Sequence, residues 1–76
     1  MFKVMIRCKK LKSEKFAKIL EKVSSDYSIW LHNDAVYAFF RAKSFEQLSE
    51  VRVKLSRIKG IEYRFVKIQK VKRTWL

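Results

Sequence analysis

Tyr27-Ser28-Ile29-Trp30-Leu31-His32-Asn33-Asp34-Ala35-Val36-Tyr37-Ala38-Phe39-Phe40-Arg41-Ala42 is the stretch that decides the fold. Residues 27–32 and 35–42 are rich in aromatic and aliphatic side chains, and both read as strands. Asn33-Asp34 between them tolerates the positive φ angles of a tight hairpin turn, though less well than Asn-Gly does. The middle of the chain is therefore two strands joined directly, with no helix between them.

Working outward, residues 2–8 (Phe-Lys-Val-Met-Ile-Arg-Cys) alternate as a strand, with Val4 and Ile6 on one face and Lys3, Met5 and Arg7 on the other. A helix separates this strand from the hairpin. Ser13 is its expected N-cap, with Glu14 in the first turn. Phe16, Ile19, Leu20 and Val23 form its apolar stripe, and Ser24-Ser25-Asp26 ends it. After the hairpin, the spacing predicts a second helix from about 45 to 59. Ser44 and Gln47 have capping-box spacing. Phe45, Leu48, Val51, Leu55 and Ile58 make its stripe, and Gly60 falls at the expected C′ position. Residues 61–71 form a last strand.

The order is β-α-β-β-α-β, which is the ferredoxin-like split βαβ arrangement. It predicts an α+β sandwich over residues 1–71: a four-stranded antiparallel sheet with two helices on one face and the first and third strands central. Residues 72–76 are a basic tail. Helices should cover the uniformly apolar set Val4, Ile6, Tyr27, Ile29, Leu31, Val36, Ala38 and Phe40. The opposite parity gives Lys3, Met5, Arg7, Ser28, Trp30, His32, Tyr37, Phe39 and Arg41, an aromatic and basic set without an acid. The last strand has two readings. If Ile61, Tyr63 and Phe65 face the core, Arg64 faces out; if Val66 and Ile68 face the core, Lys67 faces out. A bulge near Phe65 reconciles the two.

With 19 Lys+Arg against 7 Asp+Glu, the formal charge is +12 on 76 residues. Four of the acids (Glu14, Glu21, Glu46, Glu50) fall in the helices and two (Asp26, Asp34) in turns, so the bases have the strands almost to themselves. Such a surface attracts polyanions, and nucleic acid leads as partner. The size sets one domain of modest stability, roughly 4–11 kcal/mol. Hydrophobic residues at 49%, eleven aromatics among them, argue against disorder. A single cysteine, Cys8, allows no internal disulfide and no cysteine-based metal site; it should pack as a small apolar group. No apolar run approaches a membrane span, and no signal-peptide layout is read at the N-terminus. The expectation is a cytoplasmic protein without cofactor. The excess of Lys, Arg and Glu over Asn and Gln leans thermophilic, although the missing prolines argue the other way.

Val36-Tyr37-Ala38-Phe39-Phe40 resembles the core of the RNP1 motif of RNA-recognition-motif domains, which share the β-α-β-β-α-β order. The resemblance implies that Tyr37 and Phe39 stack on bases. Val36 stands where that family has glycine, Ala35 where it has a base, and the first strand offers Lys3 and Met5 in place of an aromatic. Trp30 is a substitute stacking ring. The expected site is Trp30, Tyr37 and Phe39 for bases, with Lys3, Arg7, Arg41, Arg64 and Lys67 for phosphates, and the expected ligand is RNA or single-stranded DNA.

Other readings stand beside this one. Exposed aromatics on a sheet also pair across strands for stability, or form a homodimer or protein interface. The segment Gln69 to Leu76 is loosely similar to the peptide that binds the DNA sliding clamp, with Gln69 first and Trp75 and Leu76 at its end; Lys72 stands where an aliphatic residue belongs. Trp75 folded back over an edge of the core is the plainer reading of that tail. The scattered carboxylates support no metal nuclease. His32 reads as a turn residue, although a metal-free ribonuclease would need only such an acid or base. CRISPR RNA-processing endonucleases use ferredoxin-like domains in this way, but they are larger and carry a glycine-rich loop. The expectation is a binding protein without catalysis.

Overall fold

The hairpin forms as its sequence dictates. Strands β2 (Tyr27–His32) and β3 (Ala35–Ala42) pair antiparallel with Trp30 opposite Tyr37. Asn33 and Asp34 join them with φ of 48° and 62°, as a type I′ turn requires. The computed structural model describes residues 1–24 and 26–71. Around the hairpin stand β1 (Phe2–Lys9), α1 (Ser13–Glu21), α2 (Phe45–Ser56) and β4 (Glu62–Lys70). The sheet order is β2-β3-β1-β4, all pairs antiparallel, with β1 and β3 central. This is the ferredoxin-like α+β arrangement. No helix among the described residues is long and apolar enough to cross a membrane.

Both helices lie on the face that carries Val4, Ile6, Val36, Ala38 and Phe40. Phe16, Leu20 and Val23 from α1 and Leu48, Val51 and Leu55 from α2 complete the core, and Cys8 packs among them. Among the described residues no polar or charged side chain is buried. All specificity for this packing therefore comes from shape and from the apolar period.

The helix ends differ from the sequence reading. Lys10 turns the chain with φ 65°, which drops Leu11 into the core, and α1 begins once Leu11 is anchored. Ser13 is thus its first residue rather than its cap; Lys12 takes the cap position and offers no side-chain bond. At α2 the expected cap holds. Ser44 Oγ accepts from Gln47 N at 3.4 Å, and Gln47 Oε1 accepts from Lys43 N at 2.8 Å. The helix stops at Ser56 rather than 59. Ser56 Oγ donates to the Val53 carbonyl at 2.7 Å, and Ile58 N takes the Leu55 carbonyl in a tightened turn. Gly60, with φ 81°, therefore serves the turn into β4 and not a C′ cap.

Two apolar residues expected under the helices are not covered. Leu31 is 70% exposed because β2 is an outer strand and its end overhangs the loop at Lys10–Lys12. Phe45 is 65% exposed because it opens α2 on the flank of the helix, beyond Leu48 and Val51. In β4 the two candidate facings are both realised. Tyr63 and Phe65 sit opposite Cys8 and Ile6 on the core side, whereas Lys67 sits opposite Met5 and Ile68 opposite Val4. Val66 has no partner; it is the extra residue of a bulge. Arg64 and Lys67 therefore share the outer face although their parities differ.

Candidate nucleic-acid interface

The uncovered sheet face is an array of side chains in register. Reading from β2 through β3 and β1 to β4, one row is Trp30, Tyr37, Arg7, Arg64. The next is Ser28, Phe39, Met5, Lys67. Beyond it, Arg41, Lys3 and Gln69 align, and at the other end His32, Ala35, Lys9 and Glu62 do. All eight residues expected to touch nucleic acid from the sequence (Lys3, Arg7, Trp30, Tyr37, Phe39, Arg41, Arg64, Lys67) lie on this one face. Strand alternation alone places six of them there; the bulge brings Arg64 and Lys67 in together.

The array is divided. Rings occupy the β2–β3 half and cations, Arg41 of β3 apart, the β1–β4 half. Trp30 and Tyr37 stack with ring centroids 5.7 Å apart and an interplanar angle of 11°, and His32 meets Tyr37 edge-on at 6.2 Å. Such a cross-strand aromatic pair stabilises the hairpin by about 0.5–1.5 kcal/mol beyond its burial. Trp30 remains 39% exposed. The pair thus serves the fold and still presents aromatic surface.

The cations differ in how free they are. Arg41 Nε lies 3.5 Å from Asp26 Oδ2, so this guanidinium is already engaged at the edge of the face. Arg7 and Arg64 stand directly opposite each other on β1 and β4. Like charges in that relation destabilise a strand pair. Among the described residues no carboxylate comes within 4 Å of either guanidinium or of the Lys3 and Lys67 amines. Glu62 is the one acid within the rows of the face among the described residues, and it faces Lys9; Asp26 reaches Arg41 from the β2 edge. Among the described residues, the arrangement leaves a line of positive charge with no carboxylate in ion-pair contact.

Sequence reasoning undervalued Met5 and Gln69. Both line a shallow depression of about 250 Å³ with Lys3, Phe39 and Lys67. Gln69, expected both within the last strand and as the first residue of a partner-binding tail, is a β4 strand residue opposite Lys3. Trp75 and Leu76, with the rest of the tail at 72–76, lie outside the described residues. Arg52 is the remaining cation at an aromatic: its guanidinium sits 4.9 Å over the Phe65 ring, on the helix side, away from this face. Burial pushes the Cys8 thiol up from 9.0 to about 11, so it is a neutral core group. Among the described residues no cluster of His, Cys, Asp and Glu has the grouping that holds a metal ion. No protein-family model matches this chain, and no curated protein matches it by sequence.

Proposed function

We propose that this protein binds single-stranded nucleic acid, RNA before DNA, across its open sheet face. The observation that carries the reading is the division of the face into a ring-bearing half and an unpaired cationic half, in register. Unpaired bases stack on Trp30, Tyr37 and Phe39, each contributing about 1–3 kcal/mol. Lys3, Arg7, Arg64 and Lys67 neutralise the phosphates, with Arg41 the weaker contributor because Asp26 holds it. A duplex hides its base faces and gains only the electrostatic part. The work is binding, in a cytoplasmic setting, without catalysis or cofactor; the Lys- and Arg-rich composition suits a warm-growing source.

The test is fluorescence anisotropy with single-stranded RNA, single-stranded DNA and duplex DNA over a salt series. Tyr37→Ala with Phe39→Ala should weaken single-strand binding by roughly tenfold or more, with the circular dichroism of the fold retained. Intact binding in that folded double variant overturns the reading.

One observation favours a second reading. Phe45, Val66 and Ile68 are 65%, 48% and 42% exposed on the α2 and β4 flank. A protein contact there, or self-association, would cover them. Sedimentation over a range of concentrations with Phe45→Ser as comparison tests the self-association form, which fails if both proteins remain monomers throughout.

A further inference from the structure

The two middle rows of the free face repeat one plan. In each, a β3 ring (Tyr37 or Phe39) is followed toward β4 by cationic side chains, Arg7 and Arg64 in one row and Lys67 in the other. Residues two apart on a strand stand about 6.8 Å apart along it. Bases in a stacked strand rise only about 3.4 Å. Two neighbouring bases seated on Tyr37 and Phe39 are therefore too far apart to stack on one another.

Resting on the proposed function above, we infer that this face selects extended, unstacked single strands and so prefers pyrimidine-rich to adenine-rich ones. The strand runs along β1 and β4, with one nucleotide to each middle row. One phosphodiester lies between Arg7 and Arg64, whose planar forks suit phosphate oxygens. The next lies at the depression lined by Lys3, Phe39 and Lys67. An acid bounds the track at one end, Glu62 opposite Lys9. An adenine-rich strand stacks on itself and must be pulled apart to fit, whereas uracil stacks weakly and fits at little cost.

The experiment is anisotropy titration of the full chain with labelled oligo(U) and oligo(A) of equal length, across a salt series. Oligo(U) should bind roughly five- to tenfold more tightly, the cost of one lost stacking step. For both, log affinity should fall with log salt at a slope of about −1.4, from the two phosphates that the four cations neutralise. Equal affinity, or tighter oligo(A), overturns the inference and leaves single-strand binding standing. Binding to neither overturns both. Phe39→Ala should bring the two affinities together without changing the slope, because it removes one ring and no charge; a preference that survives in the folded variant overturns the two-row register.

Discussion

Arg64→Glu should make this protein more stable and a poorer binder at once. In the native sheet Arg64 faces Arg7 across β1 and β4. The substitution turns a repulsive cross-strand pair into an attractive one. Opposite charges in this position contribute about 0.2–1 kcal/mol, and the lost repulsion adds a similar amount, so the gain is about 1 kcal/mol. For a domain of this size that raises Tm by about 4–8 °C. The new carboxylate sits two residues from Glu62, but Glu62 already faces Lys9, so each acid has a base opposite. Melting curves at low salt should show the rise. At 1 M salt, where the screening length falls to about 3 Å, most of it should vanish. Oligonucleotide affinity should drop at least about tenfold through the lost charged contact, and the salt slope should shrink by about 0.7. Arg64→Gln isolates the repulsive part and should give about half the stabilisation. A lower Tm for Arg64→Glu at low salt, with Arg64→Gln unchanged, would refute the claim that the two guanidinium groups oppose each other. Unchanged affinity would refute their role in binding.

Further outcomes follow from the core and the turn. Phe16 is fully buried, and Phe16→Ala should cost about 3–5 kcal/mol, most of the stability of so small a domain; urea denaturation should show the midpoint collapse. The Cys8 thiol, raised to about 11, stays protonated in the fold at pH values where the unfolded thiol, near 9, has ionised. Its contribution is therefore complete below pH 9 and is lost as pH rises toward 11. Because lysines and tyrosines titrate in the same range, the measurement is the extra loss of stability relative to Cys8→Ala, and equal slopes would contradict it. Asp34 holds φ 62° in the hairpin turn, so Asp34→Gly should stabilise by a few tenths to about 1 kcal/mol in thermal melts.

The fold was legible because the chain's two periods are clean where it matters. Val4 and Ile6 alternate with Lys3, Met5 and Arg7, and Phe16, Leu20 and Val23 return at helical spacing; together these fix element type and the inward faces. Coverage was not legible. Leu31 and Phe45 carry the right parity or phase, but their burial depends on how far each helix reaches across the sheet, and a strand's own pattern does not encode that. The end of α2 was misplaced because Ser56 and Ile58 close the helix by local bonds that compete with continuation. In the candidate site, alternation on β1, β2 and β3 was enough to bring Trp30, Tyr37, Phe39, Arg7 and Lys3 to one face. The opposition of Arg7 and Arg64 was not, because it requires the register between the first and last strands, which lie more than fifty residues apart. The engagement of Arg41 by Asp26 likewise joins a strand to a turn and leaves no periodic trace.

Val66 has a consequence for how this chain behaves in company. Removing it would leave Tyr63, Phe65 and Ile68 facing inward and Arg64 and Lys67 outward, so the facing of β4 does not depend on the extra residue. What the bulge does change is the outer rim of the sheet. A straight strand of this length presents a row of unsatisfied amides and carbonyls to any other chain, an invitation to edge-to-edge aggregation. The kink at Val66 breaks that row. A deletion of Val66 should therefore yield a more regular sheet and a less soluble protein, with irregularity of one strand serving as protection for a cell full of copies.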